Sequence, residues 1–245
     1  MPNEELIKEN QKLKEVVALK SNLISMTAHD LRTSAVAQKW ILKMLVDGDV
    51  GVVSQEQKEL LQKAYDSNER SIEMISEFLA ANQSEDATLS FKFEQADVVK
   101  LLESVISYMT PAAEKQGIKI LYSAPKNKIP ELKIDEPKIR IVFQNLIDNA
   151  IKYSNKGGQV QINVNSKDKF VEFSVKDSGI GIKTEDQNKI FTKFFRTDNA
   201  KKKREVGTGL GLPIIKLFAE KHGGKTWFSS DGLGTGTTFY FTLPI

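Results

Sequence analysis

From Leu19 onward the small and apolar positions of this chain fall into two interleaved stripes. One runs Leu23, Met26, Asp30, Thr33, Ala37, Trp40, Met44, and the other Ile24, Ala28, Leu31, Ala35, Gln38, Leu42, Leu45. Both alternate steps of three and four residues, the spacing of packed helices, and at about 100° per residue they lie well apart around one helix. Asp47-Gly48-Asp49-Val50-Gly51 is turn chemistry, and Ser54 with Gln57 makes a capping box for a second helix, Gln55 to Ala81. That helix carries Leu61, Tyr65, Asn68, Ile72, Ile75 and Leu79 on one stripe and Leu60, Ala64, Ser67, Met74 and Phe78 on another. A hairpin with two apolar faces needs neighbours on both. A dimer closing a four-helix bundle supplies them; packing onto the rest of the same chain is the alternative.

The polar stretch Asn82 to Asp86 ends this pattern, which predicts a coiled-coil lead-in over 1–20, a helical domain over 21–86 and a second domain over 87–245. Beyond it, SFKFEQ, IKILYSA and ELKI read as strands. Asp97 caps a helix ending near Gly117, and Asp135 with Pro137 starts one reaching Ser154. QVQINVNS and KFVEFSVKD read as a hairpin, followed by a helix through Glu185 to Phe195, another from Leu212 to His222, and strands at Thr226 and Thr238. Helices on one face of a mixed sheet form a two-layer α/β sandwich.

Composition narrows the chemistry. There is no cysteine, so thiolate catalysis, disulfides and cysteine zinc sites are excluded, and two distant histidines argue against a histidine metal site. The net charge of +3 is too small to argue for nucleic acid, and no apolar run approaches the roughly 20 residues that span a membrane. The expectation is a cytoplasmic segment with no membrane contact of its own. The run Lys201 to Arg204 reads mostly as a solvated loop.

Three glycine-bearing segments stand in the second half: Asp177 to Ile182 after a strand, Gly207 to Leu212 opening a helix, and Gly234 to Thr238 opening the last strand. Glycine turns entering a helix expose N–H groups to an anion, although each alone is an ordinary turn signal. Asn145 and Asn149 lie four apart on one helical face, with Lys152 beyond. Carboxamide oxygens suit magnesium, Lys152 suits phosphate and Tyr153 can stack on a base; a solvated polar face is the plainer alternative.

Taken together, NLIDNAIKYS, DSGIGI, IFTKFF, GTGLGL and GTGTTF resemble the N, first glycine, F, second glycine and third glycine boxes of sensor histidine kinases. Those proteins share the Bergerat ATP-binding fold with gyrase, Hsp90 and MutL-type ATPases. AHDLRTS with its hairpin is similar to the histidine box of their dimerisation domain. The resemblance spans about Leu19 to Ile245. It implies ATP and Mg²⁺, with Asn149 and Asn145 as the metal side and Lys152 at the phosphates. Asp177 would accept from the adenine amino group, Gly179 and Gly181 would admit the base, and about 183–206 would form a lid. In that lid Phe191 and Phe195 would anchor apolar contacts and Arg196 would reach the γ-phosphate. The nucleotide-contacting set further takes in Ile182, Gly207, Thr208, Gly209, Leu210, Gly211 and Thr238.

The same resemblance makes His29 the phosphoacceptor and Asp30 the carboxylate that takes its proton and fixes its tautomer. On the helical wheel His29 lies near Ser25, Arg32 and Val36, on an accessible flank. Thr33 either orients water for dephosphorylating a response regulator or fills the seam. His222 reads as structural, a helix-end residue favouring the dipole. Family members usually carry proline where this chain has Ser34, so nothing forces a kink and the first helix should be straighter and stiffer near His29; either the signal response is altered or another device supplies the bend. The implied activity is autophosphorylation from ATP and transfer to a regulator aspartate. An ATP-binding dimer scaffold and an ATPase without phosphohistidine share the same motifs.

Overall fold

The computed structural model describes residues 2–83, 91–204 and 207–245. The chain divides into two compact units, Met1–Leu89 and Ser90–Ile245. The first is a helical hairpin of α1 (Pro2–Asp47) and α2 (Gln55–Gln83). Helix α1 runs unbroken through Ser34, whose backbone keeps the N–H that a proline would lack. It closes on Gly48, held at φ +87°, with the Asp49 N–H reaching back to the Met44 carbonyl at 3.0 Å, a Schellman ending that only a left-handed residue permits. The capping box forms in both directions: Gln57 N–H to Ser54 Oγ at 3.2 Å and Ser54 N–H to Gln57 Oε1 at 2.8 Å.

Of the two α1 stripes, the one holding Ala28 and Ala35 faces α2; these residues are 3% and 8% exposed. Leu61, Tyr65, Asn68, Ile72, Ile75 and Leu79 answer from α2, all half-buried. Lys39 pairs with Glu69 across the hairpin at 2.7 Å. The other α1 stripe is uncovered, with Leu23, Met26, Trp40 and Met44 exposed.

The second unit builds β1 (Glu94–Ala96), α3 (Val98–Lys115), β2 (Lys119–Ser123), β3 (Leu132–Ile134), α4 (Glu136–Tyr153), β4 (Gln159–Lys167) and β5 (Phe170–Asp177). It continues with α5 (Asp198–Lys203), α6 (Gly211–Lys221), β6 (Thr226–Ser229) and β7 (Thr238–Pro244). The main sheet has the order β2-β4-β5-β7-β6, parallel only between β2 and β4, and β1 pairs with β3 apart from it. Inward-facing Val171, Phe173 and Val175 of β5 and Phe239, Phe241 and Leu243 of β7 meet the buried faces of α4 and α6. Phe173 stacks on Phe241 at 4.7 Å, and Phe143 of α4 meets both edge-on. Burial of each such ring contributes roughly 1.5–3 kcal/mol.

Asp97 caps α3 and Asp135 caps α4 through side-chain bonds to backbone N–H groups. Two expectations are corrected. Among the described residues of SFKFEQ only Glu94 and Gln95 are strand, the start of β1; Phe91 and Phe93 stack on each other and meet the His222 ring edge-on instead. The helix over Glu185 to Phe195 is absent. A 3-10 turn at Thr184–Asp186 is followed by successive turns, because the Gln187 side chain bonds the Ile182 and Ser230 carbonyls and ties the segment down. The helical piece of this region is α5, capped by Thr197.

His222 is structural, but not through charge. Its ring is 6% exposed, Nε2 accepts the Asp135 N–H at 3.0 Å and Nδ1 donates to the Phe218 carbonyl at 2.6 Å. Burial pulls its pKa below the usual value, with the Phe218 and Asp135 interactions opposing. A neutral imidazole therefore ties the start of α4 to the end of α6.

Candidate active site

Strand β5 ends on Asp177, 5% exposed. One carboxylate oxygen, Oδ1, accepts the Gly179 N–H at 2.8 Å and the Thr237 N–H at 3.2 Å. Burial pushes the pKa up to about 6, despite those two bonds. The glycines around it are there for space. A Cβ on Gly179 would strike the Tyr153 carbonyl, and one on Gly236 would strike the Asp177 carbonyl. A Cβ on Gly181, at φ +65°, would strike the Gly232 carbonyl. The first and third glycine segments thus close on one buried carboxylate. The end of α4 joins them through Ile180 N–H to the Tyr153 carbonyl at 3.3 Å and the Ser154–Gly179 bridge. Ile182 is buried, its N–H given to Ser230 Oγ at 3.0 Å.

Thr238 sits in β7 opposite Lys176 and Ser229, whereas Thr237 is the threonine that touches Asp177. Strand parity carries that signal: Phe239, Phe241 and Leu243 point inward, so Thr237 shares their face and Thr238 does not.

The second glycine segment meets α4. Asn145 donates Nδ2 to the Ile141 carbonyl at 3.0 Å, which leaves its Oδ1 turned to α6. A Cβ on Gly211 would lie 2.7 Å from that oxygen and 3.8 Å from Asn149 Nδ2, so both carboxamides line the N-terminus of α6. Lys152 pairs with Asp148 one turn back. Leu210 is buried and gives its N–H to Thr208 Oγ1 at 3.2 Å. Gly209 accepts the N–H of Phe194 at 3.0 Å, joining this segment to the F box. Phe194 itself is exposed with φ +64°, Phe195 is half-buried, and Phe191 packs toward Phe228 at 6.1 Å.

Arg196 gives its guanidinium to the carbonyls of Gly207 and Ala200, each at 3.3 Å, and of Arg204. Three of the four basic residues after it have protein partners: Lys201 on Asp198 at 3.5 Å, Lys203 on Asn155 at 3.2 Å and Arg204 on Gln116. Among the described residues no group of three or more His, Cys, Asp or Glu can hold a metal; a divalent ion at the start of α6 would need carboxamide and phosphate oxygens. The Asn145 and Asn149 donors fit that role.

In the helical unit, His29 Nδ1 lies 3.7 Å from Asp30 Oδ1, with the two side chains 76% and 73% exposed. That separation is too long for a hydrogen bond. Thr33 Oγ1 donates to the His29 carbonyl at 3.0 Å, one turn back along α1.

A buried strand-end carboxylate walled by glycines, with paired asparagines at a glycine-opened helix, defines a nucleotide-binding class. The family model described as histidine kinase-, DNA gyrase B-, and HSP90-like ATPase matches residues 134–245. The sensor histidine kinase WalK of Bacillus subtilis (strain 168) is 33% identical over 227 residues, 90% of this chain and 36% of its own length. The catalytic domain of histidine kinase ThkA, in a nucleotide-free crystal form, is 30% identical with a TM-score of 0.55, covering 63% of this chain and 96% of that one. Full-length ShkA in complex with AMPPNP is 25% identical with a TM-score of 0.72, covering 91% of this chain and 45% of that one. The chain belongs to the sensor histidine kinases. It spans little more than a third of WalK's length.

Proposed function

We propose that this chain is the catalytic core of a two-component sensor kinase. It binds ATP in the second unit and transfers the γ-phosphoryl group to His29, from which it passes to an aspartate of a response regulator. The observation that carries the reading is the Asp177 site: a buried acceptor within a glycine-walled cleft suits the adenine amino group and refuses the guanine carbonyl. Asn145 and Asn149 hold Mg²⁺, which neutralises charge on the phosphates when bound. Lys152 and the N-terminus of α6 face the same phosphates. Arg196 reaches the γ-phosphate only on leaving the lid carbonyls it now holds.

At the other unit, a proton on Nδ1 of His29 faces Asp30, so the Nε2 lone pair is the nucleophile. The Nε2–P bond forms, the bond from the γ-phosphorus to the β–γ bridging oxygen breaks, ADP leaves, and Asp30 takes the Nδ1 proton. Thr33 serves the reverse chemistry, orienting water for removal of phosphate from the regulator. The uncovered α1 stripe supports a homodimer closed as a four-helix bundle, which light scattering on Trp40→Lys would return to monomer. Among the described residues no helix is long and apolar enough to cross a membrane, and we assign this segment to the cytoplasm.

Incubation with labelled ATP tests the whole reading. Acid-labile, alkali-stable label that disappears in His29→Gln while ATP binding persists is the expected result. ATP hydrolysis with no protein label would replace it with a plain ATPase, and bound ATP with neither outcome with a scaffold.

A further inference from the structure

Among the described residues of the α2 stripe that faces α1, all but one are apolar or aromatic. Asn68 sits in the α2 stripe between Tyr65 and Ile72, where the pattern calls for an apolar residue, and it is half-buried. Its Nδ2 donates across the hairpin to the Ala35 carbonyl at 2.7 Å. That carbonyl belongs to a residue inside unbroken helix, so it already accepts one hydrogen bond from its own ladder. A carbonyl oxygen has a second lone pair and can take both. The amide thus ties the α1 backbone to α2 at this point without breaking the ladder. Ala35 is small and buried, which is what lets the amide come so close.

The place matters. Ala35 lies six residues beyond His29, about 9 Å along the axis. It directly follows Ser34, where the family's usual proline would have supplied a kink. A single polar residue in a helical seam also fixes register, because any slip leaves its amide buried without a partner. The neighbouring Lys39–Glu69 pair is one-third exposed and contributes little of its own.

We propose that Asn68 is a positioning residue for His29 phosphorylation. Its tie to the Ala35 carbonyl sets the register of α1 against α2, one residue past the place of the usual proline, and so fixes the direction in which the His29 imidazole is presented. This rests on His29 being the phosphoacceptor.

The test compares Asn68→Leu and Asn68→Gln in the full chain. Leucine removes the donor and makes the seam apolar, so the melting temperature of the helical unit should hold or rise. The rate of His29 labelling should nevertheless fall about ten-fold with KM for ATP unchanged. Glutamine keeps the amide on a longer arm and should recover most of the rate. A leucine variant that labels at the parental rate overturns the proposal, as does a glutamine variant that labels no better than leucine. If the parent chain itself forms no phosphohistidine, the functional reading has failed rather than the role of Asn68.

Discussion

Asp177 and Thr237 are joined twice: the Asp177 N–H donates to the Thr237 carbonyl at 2.9 Å, and the Thr237 N–H donates to the Asp177 side chain at 3.2 Å. The pair holds one carboxylate oxygen in place, with Gly179 N–H on the same atom, and the second oxygen is outside these bonds. In Asp177→Asn the amide oxygen keeps the two backbone donors, which turns its NH₂ toward the adenine amino group. Two donors then face each other, and ATP affinity should fall by about 100-fold or more in calorimetry.

The same residue sets a pH dependence. Its folded pKa of about 6 lies above the ordinary aspartate value of 3.8, so the folded state binds the proton more tightly. The stability it contributes is complete below 3.8 and lost as pH rises through 6, on the order of 2–3 kcal/mol. Asp177→Asn should therefore melt higher than the parent at pH 8 and close to it at pH 4. Equal melting temperatures at both values would remove this account.

His222 acts in the opposite sense. Its pKa is lowered by burial, so its contribution is present above the ordinary histidine value of 6.5 and lost as pH falls through the folded value. Protonation puts a hydrogen on Nε2, where the Asp135 N–H now donates. His222→Gln should flatten the acid limb of a stability–pH curve below 6.5 while lowering stability at pH 8 through the loss of a filled, bonded core position. An acid limb identical to the parent's would count against it.

Gly211→Ala separates folding from nucleotide binding. Alanine is favoured over glycine in helices by about 1 kcal/mol, so the melting temperature should hold. The added methyl group presses on Asn145 Oδ1, and Mg²⁺-dependent ATP binding should weaken about ten-fold, read by titration with and without the metal. Unchanged affinity would show that Asn145 is not needed where it stands.

Thr33→Ala addresses the reverse reaction. Its hydroxyl bonds the His29 carbonyl, one of the two options open to a helical threonine. Regulator dephosphorylation should drop at least ten-fold with His29 labelling intact. Full phosphatase activity would leave Thr33 as a seam residue.

Much of this was legible in the chain because it is written in local chemistry. Asp97, Asp135 and the Ser54–Gln57 box cap helices through neighbours within three residues, and such signals need no tertiary knowledge. The glycines around Asp177 could be read as a group from their order, although the carbonyls they make room for lie on other segments. What escaped depends on partners distant in sequence. The turns over 187–195 are decided by Ser230, and Arg196 by carbonyls of a loop that folds around it. Phe91 and Phe93 alternate like a strand, yet both rings rest on His222, more than a hundred residues on. Asn68 reads in the sequence as one more seam position, and its partner, the Ala35 carbonyl, lies on the other helix.

Helix α1 is continuous from Pro2 to Asp47, about 69 Å at 1.5 Å per residue. A rod of that kind transmits twist. Turning it near its start by one residue's worth of phase would swing His29 through about 100°, from one side of the bundle toward another, whereas an added heptad would return it to within about 20°. The direction of the His29 side chain is thus geared to the phase of the helix on its N-terminal side, and rotation there redirects it with no change inside the second unit.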